Sequence, residues 1–409
     1  MVLTKVAAEK SPIRVPLLQL VVREYDEERD KTAVEEMERK CELEQCGNPS
    51  LVTDLMGDPT CRIRRFPTHV MLIAEYGEQN IVGVIRGCVK EATSGNSVFV
   101  RLAYILGLRV SPTHRRLGIG SKLVTHLEEW CKQNGANYAY MATDCTNEAS
   151  INLFTIKCAY QKFRTPTILV QPVHAHKKPI SSTKIAIVQL PAKLAESIYC
   201  QLFAQSEFFP KDIHNILSSH LNLGSFMALP KKSLLKFDPQ KDTTLPTNFA
   251  ILSVWNTKEV FKLQVKGVSS LTYACCVGAR VLDAWLPWLR LPSFPNVFKQ
   301  FGVHFMYGLH MEGKNGKWLM KALCNFVHNM AREDDGCAAV VTEVSQRDPV
   351  REAIPHWRKL SWEEDMWCVK KLADQAKQGE KTTSSDDGQF DWINTRSSSS
   401  VVFVDPRDF

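Results

Sequence analysis

Residues Leu106 to Leu123 read LGLRVSPTHRRLGIGSKL, and the order of events inside this stretch decides the fold. Apolar residues through Val110 make a strand, and Ser111-Pro112 ends it. A basic loop carrying Gly118 and Gly120 follows. From Ser121 to Gln133, Leu123, Val124, Leu127 and Cys131 recur on one face, as a helix requires, and Gly135 ends the helix. The start of a helix carries N–H groups without intrahelical partners and a partial positive charge. Glycines let backbone approach an anion with no Cβ in the way. Strand, glycine-bearing loop and helix in this order make a cradle for phosphate. Two common phosphate loops are excluded. The stretch lacks GxxxxGK[ST], and no third glycine follows Gly118-Ile119-Gly120 to complete GxGxxG.

Outward from this loop, both flanks alternate strands and helices. Upstream, Leu17–Arg23 reads as a strand and Asp26–Glu42 as a charged helix. Val70–Glu75 and Ile81–Val89 read as a hairpin turning at Gly77-Glu78-Gln79-Asn80, and Val98–Val110 as a further strand. Downstream come a strand at Tyr138–Ala142, a helix at Ala149–Lys157 and a strand at Phe163–Val170. This is an α+β plan, one mixed sheet flanked by helices, expected to occupy residues 14–172. Residues 173–182, with Pro179 and two lysines, read as a linker.

Residues 183–371 repeat the pattern. Strands are expected at Lys184–Leu190, Phe305–Met311, Cys337–Val344 and Met366–Lys370, with a hairpin of Phe249–Val254 and Val260–Val265. Helices are expected at Ala192–Gln205, Lys317–Met330 and Asp348–Leu360. Leu106-Gly107-Leu108 is echoed by Tyr307-Gly308-Leu309. The second copy is degenerate. Its loop is shorter and lacks the basic glycine set, and its chance GxxxxGK has Asn315 where a Ser or Thr would hold magnesium. It is expected to bind no coenzyme and to serve substrate shaping or partner contact. Residues 372–409 are polar and read as a largely flexible tail, although Val401-Val402-Phe403-Val404 could dock back as a strand or stay free. Trp285, Trp288 and Leu291 read as a packing or interface segment.

Composition narrows the function. The 409 residues are 44% hydrophobic and 23% charged, ordinary for a globular chain, with a formal net charge of +7. No Lys/Arg run exceeds Cys61-Arg62-Ile63-Arg64-Arg65, so direct nucleic-acid binding is not expected. The 13 cysteines show no CxxC pair, which speaks against a zinc site or a disulfide framework and for reduced thiols inside the cell. His174-Ala175-His176 lies in the linker and is read as non-metal. No apolar run reaches the roughly 18 residues of a membrane helix.

The set Arg115-Arg116-Leu117-Gly118-Ile119-Gly120, an RxxGxG pattern after Leu108-Arg109-Val110, resembles the pyrophosphate loop of the GNAT superfamily of acetyltransferases. The resemblance spans Leu106 to Phe163. It implies a GNAT fold and acetyl-coenzyme A as cosubstrate. It also implies that the backbone amides of Arg115, Arg116, Leu117, Gly118, Ile119, Gly120 and Ser121 hold the pyrophosphate, and that the strand edge Leu108, Arg109, Val110 holds the pantetheine arm, with the Val110 N–H polarising the acetyl carbonyl. The family's next motif matches Asn147-Glu148-Ala149-Ser150. Phe154 stands where many members place a tyrosine acid, and phenylalanine has no proton to give. Tyr160 could take that role, or both aromatics could be core. The strand Val98–Val110 holds no carboxylate, so Asp144 and Glu75 are the candidate bases, with structural roles open for each. With its ending FVDPRDF, the whole chain is similar to the plant hookless-type N-acetyltransferases. That similarity implies a protein lysine, a histone included, as acceptor, a nuclear setting and a role in ethylene- and auxin-responsive differential growth. A GNAT-fold regulatory or scaffold protein is the alternative, and oligomers remain open.

Overall fold

The computed structural model describes residues 20–43, 50–77, 80–235, 245–286, 288, 293, 295–361, 365–372, 392–393 and 401–409. The first half holds β1 (Leu20–Glu24), α1 (Glu27–Leu43), β2 (Ser50–Asp54), β3 (Thr68–Tyr76), β4 (Asn80–Ser94), β5 (Phe99–Val110), α2 (Ile119–Gln133) and β6 (Tyr138–Asp144). It continues with α3 (Glu148–Asn152), a π-helical turn Leu153–Lys157, β7 (Gln161–Arg164) and β8 (Thr167–Pro172). The second half holds β9 (Ile185–Leu190), α4 (Ala192–Phe203), β10 (Glu207–Pro210), α5 (Ile213–Leu217), β11 (Asn222–Pro230), β12 (Phe249–Asn256) and β13 (Lys262–Lys266). Then come α6 (Ser270–Trp285), β14 (Gly302–Glu312), α7 (Gly316–Glu333), β15 (Cys337–Val344) and β16 (Asp365–Lys371).

The expected α+β plan is present twice, but the halves exchange strands. The first sheet runs β1-β3-β4-β5-β6-β16-β7, and β10 also pairs with β4. The second runs β8-β15-β14-β12-β11-β9. β16, from the far end of the second half, lies between β6 and β7, while β8, from the first half, edges the second sheet beside β15. A division at residue 172 therefore cuts across both sheets. The single strand expected at Phe163–Val170 is two strands in different sheets, parted at Pro166, which has no N–H to donate to a ladder. The hairpin expected from 249 to 265 does not form. β12 pairs with β11 and β14, and β13 crosses to make a separate ribbon with β2. Of the helix expected at 348–360, only a 3-10 turn Pro349–Ala353 exists, because Pro355 blocks continuation.

Packing follows the helical periodicity. α2 lays Leu123, Val124, Leu127 and Cys131, all fully buried, on one face of the first sheet. α7 does the same on the second sheet with Leu319, Leu323 and Val327. The inner faces of the two sheets share a third core, to which α1 adds Val34 and Met37 and α4 adds Ile198 and Tyr199.

Of the two alternatives left open for Val401-Val402-Phe403-Val404, the structure has the segment docked, while residues 373–391 and 394–400, read as flexible, lie outside the described residues. Val402, Phe403 and Val404 are buried in the shared core, where the Phe403 ring meets Phe203 and Phe209 at 5.1 Å. Val402 bridges Glu207 in parallel. Beyond them a buried charge network ties the end to both halves. Lys90 Nζ lies 2.7 Å from Asp408 Oδ2 and 3.3 Å from Asp405 Oδ2, and Arg407 reaches Asp212 at 2.7 Å. Tyr140 donates to Asp408 at 2.6 Å. Buried charges persist only when paired in this way. Trp392 is also buried, and its Nε1 donates to Glu207, which accepts from Arg164 as well. Trp285 and Trp288 are 78% and 70% exposed, so they pack little, and Leu291 lies outside the described residues.

Candidate active site

β5 and β6 run parallel and pair only from Leu102–Tyr138 to Ile105–Met141. Beyond Ile105, β5 continues to Val110 on the edge of β4, and β6 continues to Asp144 on the edge of β16. The two strand ends thus part into a V-shaped notch, with Leu106–Val110 on one wall and Ala142–Asp144 on the other. A cause lies at Gly107, whose φ of +61° belongs to the left-handed region. The β4–β5 register shifts there, between Val84 and Arg86. A Cβ on Gly107 would sit 2.7 Å from Arg86 Nη1, so the guanidinium needs this glycine. Gly308 in β14 has the same φ of +61°, beside Tyr199, at the matching shift of the second sheet.

The loop Ser111–Gly118 leaves the notch and enters α2. His114 N donates to Ser111 O in a 3-10 turn. Arg116 at φ +63° and Gly118 at φ +79° then turn the backbone left-handed on either side of Leu117. A non-glycine residue held at such a φ is strained, and strain of this kind concentrates at ligand sites. Gly118 caps α2 and has no side chain to bond the helix, and among the described residues no side chain accepts from the first N–H groups of α2. Arg115, Arg116, Leu117 and Gly118 are exposed, and Ile119 is buried against the sheet. Gly120 faces the notch, where an added Cβ would lie 3.2 Å from Leu153 and 3.9 Å from Leu108. The residues fit a coenzyme in which a diphosphate meets an open helix start and an extended arm enters between parted strands. Among the described residues the second half offers no such cradle. Only Gly313-Lys314-Asn315 joins β14 to α7, and Asn315 N donates to the Asn248 side chain.

Of the candidate acid–base residues, one reaches the notch. Asp144 ends β6, and its Oδ1 accepts from Thr146 N at 2.7 Å and Thr146 Oγ1 at 2.6 Å. Glu75 lies on β3, two strands away from the notch, and is engaged by Arg23, which also holds Asp30. Tyr160 is packed edge-on to Phe154 in the core behind α2, where burial pushes its hydroxyl far above the usual range. Asn147 caps α3. Its Oδ1 accepts from Ser150 N, and its Nδ2 donates to Thr143 Oγ1.

Sequence reasoning missed the wall that α1 builds. Cys41 Sγ approaches Val110 O at 3.5 Å, and Arg109 pairs with Glu42 at 3.3 Å, which fastens α1 over the tip of β5. Arg86 holds Glu38 through two hydrogen bonds of 3.0 and 3.1 Å. Between α1, the β2–β13 ribbon and Arg109 lies an open cavity of about 290 Å³. Glu35, Glu38, Glu42, Asp54 and Asp58 line it, and Arg39, Arg109 and Lys266 offset part of their charge. Burial raises the Glu42 carboxyl above its usual range, against the pull of Arg109. Gln264, Lys266 and Gln300 make the second half a wall of this cavity. The spacing 35, 38, 42 on α1 was visible as one helical face, but nothing local tied that face to the loop.

With this geometry described, the comparisons with known proteins name an acetyltransferase family. The family described as "Acetyltransferase (GNAT) family" matches residues 32–160. Over 95% of its length the chain is 46% identical to "Probable N-acetyltransferase HLS1" of Arabidopsis thaliana, 100% of which is covered. It is 37% identical to "Acetyl transferase GW6a" of Oryza sativa subsp. japonica, covering 95% of this chain and 97% of that one. The chain belongs to the GNAT family of N-acetyltransferases. Among solved structures, Saccharomyces cerevisiae N-myristoyltransferase with bound myristoyl-CoA is 10% identical over 88% of this acetyltransferase and 81% of that chain, with a TM-score of 0.51, a likeness of fold alone. Among the described residues the acetyltransferase has no cluster of His, Cys, Asp and Glu that could hold a metal, and no helix long and apolar enough to cross a membrane.

Proposed function

We propose that the acetyltransferase moves acetyl from acetyl-coenzyme A to the amine of a protein lysine by direct attack while both substrates are bound. The observation that carries this reading is the notch between β5 and β6 opening onto the uncapped start of α2. The amides from Arg115 to Ser121 would hold the diphosphate, and the edge of Leu108–Val110 the arm, so that the thioester lies between the strand tips. The acceptor would approach from the α1 side, where five carboxylates favour a cation. The amine lone pair forms a bond to the thioester carbon, and a backbone N–H of the β5 edge steadies the oxyanion. Collapse breaks the C–S bond, coenzyme A leaves as thiolate, and the proton lost by the amine must pass to a base. The enzyme contributes alignment and oxyanion stabilisation.

Isothermal titration with acetyl-coenzyme A, followed by thiol release in the presence of core histones, tests this reading. Saturable binding and acceptor-dependent release are expected. Binding without release from any of a panel of lysine peptides would favour a regulatory GNAT-fold protein instead, a reading that Phe154 in the tyrosine position supports. We also place the protein in the nucleus and in ethylene- and auxin-responsive growth, on its whole-chain similarity. Imaging of a fluorescent fusion and hook curvature in a deletion line would check both.

A further inference from the structure

The strand exchange has a chemical result at the notch. β16 lies against β6 with Asp365 directly opposite Asp144 in an antiparallel register. Residues opposite each other in such a pair carry their Cβ atoms about 4.5–5.5 Å apart. Trp367 and Val369 of β16, and Tyr138 and Tyr140 of β6, point into the core shared by the two halves. By strand alternation Asp365 and Asp144 share that face, the one on which α1 packs over β4 and β5. Asp144 stands three residues past Met141, where β5 and β6 separate, level with the Leu108 region of the opposite wall. The Asp144 carboxylate is occupied by Thr146, whereas among the described residues Asp365 has no side-chain partner, and it is only partly buried.

We propose that Asp365, carried into the first site by a strand of the second half, is the general base that accepts the proton of the acceptor ammonium. This rests on the functional reading above. The acceptor cation enters between Asp144 and Asp365. One N–H proton passes to the Asp365 carboxylate, directly or through one water, and the freed lone pair attacks the thioester carbon. The C–S electrons leave on the coenzyme thiolate, which takes up the second N–H proton from the acylated nitrogen and departs as the thiol, and the first proton is released from Asp365 to solvent after product departs. Asp144, held by Thr146, is a positioning residue whose negative charge makes its neighbour more basic.

The surroundings agree. Burial, and after it the Asp144 charge, push the Asp365 carboxyl up to about 6, a range suited to accepting a proton near neutrality. From β15, Glu343 faces the same space and accepts from Trp367 Nε1 at 3.0 Å, and burial, with the Asp365 charge after it, pushes its carboxyl well above the carboxylate range. From β7, Arg164 lies opposite Trp367, but Glu207 neutralises it. From β5, Tyr104 spends its hydroxyl on Asp408 O.

The test uses the full chain, acetyl-coenzyme A and core histones. Asp365→Asn should bind acetyl-coenzyme A as the wild type does, yet lose about 100-fold or more in kcat. Asp365→Glu should recover part of it. The wild-type kcat/KM should rise with pH to a plateau above about 6, and Asp144→Asn should move that rise to lower pH. An Asp365→Asn variant with wild-type kcat, or an acid limb unmoved by Asp144→Asn, overturns the assignment while leaving the functional reading intact. A wild type that binds no acetyl-coenzyme A overturns both.

Discussion

Phe403→Ala probes the terminal segment at its most buried ring. Phe403 is 2% exposed, and Phe203, Phe209, Tyr199 and Tyr307 surround it with ring centroids between 5.1 and 6.5 Å. These neighbours belong to α4, β10 and β14, all fixed in the shared core, so the space cannot close by a simple shift. Truncating a buried phenylalanine costs about 3–5 kcal/mol, transfer and cavity together. With an m-value of about 2–3 kcal/mol per molar urea, the midpoint should fall by about 1–2.5 M. Urea unfolding followed by far-UV circular dichroism reads the shift, with exposed Val98→Ala as the control. If Phe403→Ala unfolded within about 0.3 M of the wild type, the terminal segment would contribute no packing energy, and its place in the core would be refuted.

Three further outcomes follow from single contacts. Lys90→Met should destabilise by about 3–5 kcal/mol, because Asp405 and Asp408 would lose their shared buried cation, and the loss should appear in the same urea titration. Gly120→Leu should weaken acetyl-coenzyme A at least about 10-fold by calorimetry, since even a Cβ there meets Leu153 at 3.2 Å, while Gly118→Ala should cost only the roughly 1–2 kcal/mol of its left-handed φ, its Cβ pointing into open space. Arg23 holds the Asp30 carboxyl down at about 2, against an ordinary 3.8. That stabilisation is therefore fully present above pH 4 and is lost as pH falls from about 4 through 2. Asp30→Asn should remove this part of the acid limb in a thermal-midpoint series across pH 2–6.

The loop and its helix were legible because their signals are local. Pro112, Gly118, Gly120 and the spacing of Leu123, Val124 and Leu127 each act within a turn or two of chain. Strand partners were not legible in the same way. The alternation of Trp367, Cys368 and Val369 says which face is buried, and nothing in it says whether β6 or β15 will lie alongside. The supposed hairpin at 249–265 failed for that reason, since both strands exist and each found a different neighbour. The terminal Val401–Val404 was ambiguous until its partners were visible, because docking depends on Phe203 and Phe209, about 200 positions earlier. Asp144 could be reached by counting along β6, whereas Asp365 could not, since only the crossing of β16 brings it beside Asp144.

That crossing also sets a clock on biosynthesis. The edge of β6 emerges from the ribosome early, yet its neighbour β16 is made about 220 residues later, on the order of 10–40 s at about 5–20 residues per second. Through that interval the nascent first sheet must carry an unfilled gap between β6 and β7, a template for stray pairing. A fragment released at the linker would keep the gap for good. Neither half is then an independent cassette, and chaperone demand should persist until β16 has been made.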